Sequence, residues 1–215
     1  MALNRKVVAT EKKEFDGESN FTRLGAGEYE GRLVYVADLG LQERNFKGEE
    51  KPPAQQICLG IEIIGSDNNG QPRLLFTRPF NIFSKMSDLG VEYKMYKVFN
   101  TSAQPDTVAD WDAVLGEPCT VKVVVTKSRD GSAEYDNIAD LIPIPAKYRK
   151  DVGEARITPA IGDCDDDSNP ATQALYGLAK FIWEKRIDMP VKTAQKAAKA
   201  KQKVSSDVDD IDIPY

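Results

Sequence analysis

The 215-residue chain contains no histidine, which removes the commonest general base and the commonest transition-metal side-chain ligand together. Catalysis by a Ser-His-Asp or Cys-His arrangement is excluded with it. Cysteine is scarce too. Cys58, Cys119 and Cys164 are an odd count, lie far apart and form no C-x-x-C pair, so they read as buried thiols and not as a disulfide framework or a zinc ribbon. No apolar run approaches the ~20 residues of a bilayer span, and Met1-Ala2-Leu3-Asn4-Arg5-Lys6 has no apolar signal core. A soluble, cytoplasmic protein is expected, with no membrane partner. Gly25-Ala26-Gly27 is not followed by Gly-Lys-Ser/Thr, so it makes no phosphate-binding loop.

What is present is unevenly distributed. The net charge is −5, but acids and bases nearly balance over residues 1–150, which permits a basic face there. Lys192, Lys196, Lys199, Lys201 and Lys203 then form a purely basic run, and Asp207, Asp209, Asp210 and Asp212 a purely acidic end. Residues 1–26 mix charges with Gly, Ser and Asn without sustained periodicity, which predicts a flexible arm.

From Gly27 onward the period is that of strands. Tyr29, Leu33, Tyr35 and Leu39 share one face of a first strand over 28–39, and Ile57, Leu59, Ile61 and Ile63 one face of a second over 55–64. Ser66-Asp67-Asn68-Asn69-Gly70 is a hairpin turn leading to a third strand over 73–83. Met86, Leu89, Tyr93, Tyr96 and Phe99 recur at three- and four-residue spacing and predict a helix over 84–99, which Gly90 interrupts; Asp110 to Gly116 reads as a helical turn closed by glycine. Val121, Val123 and Val125 mark a fourth strand over 119–126, and Arg129-Asp130-Gly131-Ser132 turns into a fifth over 133–142.

Three strands, a helix and a two-stranded hairpin make the order of a mainly β, five-stranded Greek-key oligonucleotide-binding barrel, expected over 27–145. An extension over 146–190 follows, with a helix near 170–186 whose Asn169-Pro170 start places a capping residue before proline. That helix is expected to pack on the barrel or on a second copy, leaving room for a homodimer. A Lys-rich linker (191–206) and an acidic tail (207–215) complete the chain.

Single-strand binders combine cations for phosphates with aromatic faces for bases. The loop between the first two strands offers Arg44, Phe46, Lys47 and Lys51; the first strand adds Arg32; the third strand brings Arg73, Phe76 and Arg78; the last hairpin brings Lys122, Lys127, Arg129 and Tyr135. Core packing competes for Phe76. Local ion pairing with Glu43, Glu49 and Glu50 competes for the loop cations. Asp163, Asp165 and Asp167 alternate like the start of a calcium loop, but Ser168 and Ala174 stand where glycine and a bidentate glutamate are needed, so neither metal nor cofactor is expected.

The closing run Asp207-Val208-Asp209-Asp210-Ile211-Asp212-Ile213-Pro214-Tyr215 resembles the tail of single-stranded DNA-binding proteins of bacteria and tailed phages. Gly27 to Gly40, with Glu50-Lys51-Pro52-Pro53-Ala54, is similar to the barrel of the phage members. The resemblance implies a non-enzymatic protein that coats unwound single-stranded DNA without sequence preference during phage replication, recombination and repair. Its tail, through Asp207, Asp209, Asp210, Asp212, Ile213, Pro214 and Tyr215, would recruit enzymes such as DNA polymerase, helicase or primase and exonuclease, and compete with DNA for the basic groove. Tyr215 replaces the more usual phenylalanine. The rival expectations are an acidic protein that inhibits a host DNA-processing enzyme and, less favoured for want of an acidic triad, an enzyme holding Mg²⁺ with carboxylates.

Overall fold

Strand β1, Gly27–Phe46, is long enough to serve two partners. Its first six residues pair antiparallel with β5, Pro118–Lys127, and from Gly31 onward it pairs with β2, Glu49–Asn68. Gly31 stands where the two ladders overlap. A Cβ there would meet Ile61 and Val121 side chains at 2.7 Å, so only glycine lets the strand cross between two core residues. Strand β3, Gln71–Phe76, returns along β2 after a turn in which Asn69 and Gly70 both have positive φ, the geometry that an Asn-Gly pair adopts most cheaply. Two residues, Phe80–Asn81, form β4 on β2, and β6, Glu134–Pro143, pairs with β5. The computed structural model describes residues 23–128 and 130–187, among which no helix is long and apolar enough to cross a membrane.

The sheet runs in the order β3-β2-β1-β5-β6, with β4 added on β2 and β7, Ala160–Gly162, parallel to β1. It is mainly antiparallel and open. The closed barrel expected from the sequence would need a ladder between β3 and β6, and none forms. Strand β3 stops at Phe76, and Thr77 turns back onto β2 by accepting from Leu59 N (3.0 Å) and donating its own N–H to Leu59 O (2.9 Å). Asp136 of β6 accepts from the backbone of Leu24 and Gly25 (2.8 and 3.3 Å), so these residues just before β1 are docked on that edge strand, while residues 1–22 of the expected arm lie outside the described residues. Across the gap the two edges meet through Arg73 and Asp136, 3.5 Å apart and almost fully buried.

Each face of the sheet has its own core. Leu33, Ile57, Leu59, Ile61, Ile63, Val121 and Val123 pack under α1, Val91–Phe99, with Met86, Phe80 and Trp111. The helix starts at Val91 and not at Ser84, because Gly90 is its N-cap; Met86 still reaches the core from the preceding loop. The opposite face, Val34, Tyr35, Ala37, Leu39 and Cys58, is covered by the extension through Ala171, Leu175 and Ala179. The helix expected over 170–186 is two helices, α2 at Pro170–Gln173 and α3 at Gly177–Glu184, since Gly177 adopts φ +56° between them. Asn169 caps α2 by accepting from Ala171 N at 2.9 Å, and Pro170 holds its first turn. Glu62, 2% exposed on β2, fastens the extension by accepting from Arg156 N and Ile157 N (3.0 and 2.8 Å).

Candidate functional site

Beyond Leu39 and Ala54 the first two strands leave the sheet as a two-stranded arm that turns at Lys47-Gly48. The segment expected to be a loop is therefore a hairpin, in which Arg44 and Lys51 are directly opposed and so project from the same face. The side chain of Phe46 lies outside the described residues; its backbone pairs with Glu49. Carboxylates share the arm, Lys51 Nζ lying 2.7 Å from Glu49. Such exposed pairs are weak, worth ~0.2–1 kcal/mol, and leave the cation available to a phosphate. The root of the arm is rigid. Buried Gln42 donates to Leu39 O at 2.8 Å and to Ile182 O at 3.2 Å, and Ile187 N donates to Leu41 O at 2.8 Å.

The aromatic partner of Arg44 is Phe83, which follows β4: the guanidinium carbon lies 5.7 Å from the ring centroid, and the phenylalanine is 53% exposed. Sequence reasoning missed Phe83 because it ended an expected strand. The available signal was its setting, an aromatic between the exposed cations Arg78 and Lys85 in a segment that Pro79 removes from strand alternation.

The backbone around the ring is held from two sides. Ile82 N donates to Gln55 O (2.9 Å), and Phe83 N donates to the carboxylate of Glu92 on α1 (3.2 Å). Burial pushes the Glu92 carboxyl above its ordinary range, against the lowering effect of that backbone hydrogen bond.

The other expected site residues divide sharply. Arg73 is 3% exposed and committed to Asp136, with a further bond from Nη2 to Asp67 O at 3.3 Å. Phe76 packs edge-on against Tyr176 of the extension (5.4 Å, 69°), and the Tyr176 hydroxyl donates to Leu74 O at 2.9 Å. The expected β3 platform is thus covered by the protein's own chain. Arg32 is also structural: it donates to Gly153 O, Gly116 O and Val152 O at 2.7–2.8 Å and ties the extension to the sheet. Lys122 is exposed but lies opposite Glu28 on one neighbouring strand and Asp140 on the other. At the β5–β6 tip Tyr135 pairs with Thr126 and Lys127 with Glu134, so the two side chains leave opposite faces of the hairpin; both are exposed, with Glu134 3.8 Å from the lysine. Arg129 and the tail residues Asp207 to Tyr215 lie outside the described residues.

The acidic loop after β7 bonds to itself: Asp163 accepts from Asp165 N (3.0 Å), and Asp166 from Ser168 N (2.9 Å). Asp163 and Cys164 approach Asp38, whose oxygens already accept from Gln55 and Gly40 N. Burial lifts the Cys58 and Cys119 thiols to about 12, and burial followed by the nearby Asp38 carboxylate lifts Cys164 to about 11. All three are poor nucleophiles at neutral pH. No protein-family model matches this sequence, and no curated protein matches it either.

Proposed function

We propose that the protein binds single-stranded DNA without sequence preference, through an open sheet of the oligonucleotide-binding type, and that it works by binding and not by turnover. The observation that carries this reading is the β1–β2 arm, with Arg44 and Lys51 on one face and Arg44 set against the exposed ring of Phe83. Cations on a projecting hairpin beside an exposed aromatic match what an unpaired strand requires, phosphate neutralisation plus a surface for a base. Lys127 and Tyr135 at the β5–β6 tip add an exposed cation and an exposed aromatic, on opposite faces of a second hairpin. The strand order supports an oligonucleotide-binding ancestry for the sheet, with its closing seam reduced to Arg73 and Asp136.

The acidic tail is the proposed recruiter of replication and recombination enzymes. The described chain ends at Ile187, bonded to Leu41 at the root of the arm. Residues 188–206 can span up to ~65 Å when extended, so Asp207 to Asp212 have the reach to occupy the arm until DNA displaces them. Removing residues 207–215 then tightens DNA binding at low salt and abolishes enzyme recruitment. A truncation that binds no more tightly refutes the masking.

The deciding experiment is fluorescence anisotropy of labelled oligo-dT, with duplex competitor and a salt titration. Tight binding that weakens with salt and survives duplex competition is the expected result. A second reading, docking to a basic partner protein as an inhibitor, draws on the exposed carboxylates Glu28, Glu30 and Asp140 on the outer face of β1 and β6. It takes over if oligo-dT fails to bind even without the tail.

A further inference from the structure

We infer that the outward face of Phe83 is the seat of one unpaired nucleobase and that Arg44 is its movable cover: the base replaces the guanidinium over the ring, and the guanidinium moves to the adjacent phosphate. This rests on the single-strand reading above and assigns a base-stacking residue to it.

Three observations converge on Phe83. Its neighbours in sequence are immobilised, Phe80 at 6% exposure against Trp111 and Ile82 on β2 through Gln55, while its own ring faces solvent. Its backbone N–H is anchored on buried Glu92, so the ring is presented from a fixed base. A rigid aromatic loses little entropy when a flat ligand settles on it. Finally, the guanidinium of Arg44 lies over the ring, 5.7 Å from its centroid.

An exposed cation–π contact of this kind is worth about 2- to 5-fold in an equilibrium, whereas a stacked base is worth about 5- to 150-fold. The base therefore wins the ring. The displaced guanidinium, still on the arm, is free to neutralise a phosphate, so the exchange costs little. Arg78 and Lys85, both exposed, flank Phe83 in the chain.

The test compares oligo-dT with an oligonucleotide of equal length in which every base is replaced by an abasic site, so that phosphate contacts remain and stacking is lost. For Phe83→Ala the expected result is a 5- to 150-fold loss of affinity for oligo-dT with abasic affinity unchanged. Phe83→Trp should retain affinity, and its emission should be quenched by oligo-dT but not by the abasic strand, after subtraction of the signal from Trp111 and Trp183. Arg44→Ala should lower the slope of log K against log salt by about 0.7, the share of one phosphate on a single strand.

Equal binding of oligo-dT by wild type and Phe83→Ala overturns the inference and leaves the proposed function standing. Equal loss for both oligonucleotides also overturns it, because that pattern belongs to a structural role. Failure of the wild type to bind oligo-dT overturns the proposed function and this assignment together.

Discussion

Strand β3 and the region of the β1–β2 arm each offer an arginine and a phenylalanine, and the fold treats the two pairs in opposite ways. On β3, Arg73 is 3% exposed against Asp136, and Phe76 is closed over by Tyr176. At the arm, Arg44 lies against Phe83, and the ring is half in solvent. Arg73 is enclosed at the seam with Asp136, and Phe76, on the opposite face of β3, by what packs over it. The extension after residue 150 lays its helices over the sheet face that carries Leu74 and Phe76, whereas the arm runs past the limit of that cover. Arginine and phenylalanine are thus closed into the fold on β3, whereas at the arm the ring stays half open to solvent.

That contrast can be broken most violently at its buried end. Arg73→Ala removes the cation from the buried Asp136 carboxylate, leaving it only the Leu24 and Gly25 amides, and should cost about 3–5 kcal/mol, read by urea unfolding. Oligo-dT affinity of the remaining folded fraction should not change; a selective loss of affinity with stability intact would show β3 to be a contact surface after all.

Next in size is the fastening of the extension. Glu62→Ala strips the charged acceptor from Arg156 N and Ile157 N and should cost about 1.5–3 kcal/mol. Limited proteolysis should then cut first near residues 153–158, and cleavage elsewhere would mean that Glu62 is not the clamp.

Glu92 gives a pH signature beneath the arm's aromatic. Its carboxyl is raised in the fold by burial, so its contribution to stability is fully present below the ordinary glutamate range and is lost as pH rises through the raised value. Glu92→Gln, which keeps an acceptor for Phe83 N, should therefore have a higher Tm than wild type at pH 7, with the gap closing toward pH 4. A gap independent of pH would assign the effect to packing.

The smallest effect belongs at the exposed end. Arg44→Ala and Lys51→Ala should each change stability by no more than about 0.5 kcal/mol, while both weaken oligo-dT binding and reduce its salt dependence. Destabilisation on the scale of Arg73→Ala would erase the distinction between arm and strand.

Much of the sheet was legible in the chain. Alternation in Ile57 to Ile63 and Val121 to Val125 placed β2 and β5, and Asn69-Gly70 placed the turn between β2 and β3, because these signals depend on neighbours a few residues away. The expected strand edges fell short at the arm, where Gln42 to Pro53 carry no apolar alternation; that hairpin is held by backbone pairing and by its anchored root. Asn169-Pro170 announced α2, but the break before α3 depends on the positive φ of Gly177, and nothing in the local pattern revealed it.

The candidate site was half visible. Arg44 and Lys51 stood out as cations on a polar segment, whereas their aromatic neighbour came from a different part of the chain. The sequence by itself determined the strand periodicity, the absence of histidine chemistry and the segregation of lysines from aspartates at the end, since these are properties of composition and short spacing. Tertiary structure alone decided that Arg32, Arg73 and Phe76 belong to the fold and that Arg44 meets Phe83. Exposure is set by which distant segment covers a surface, and no local pattern encodes that.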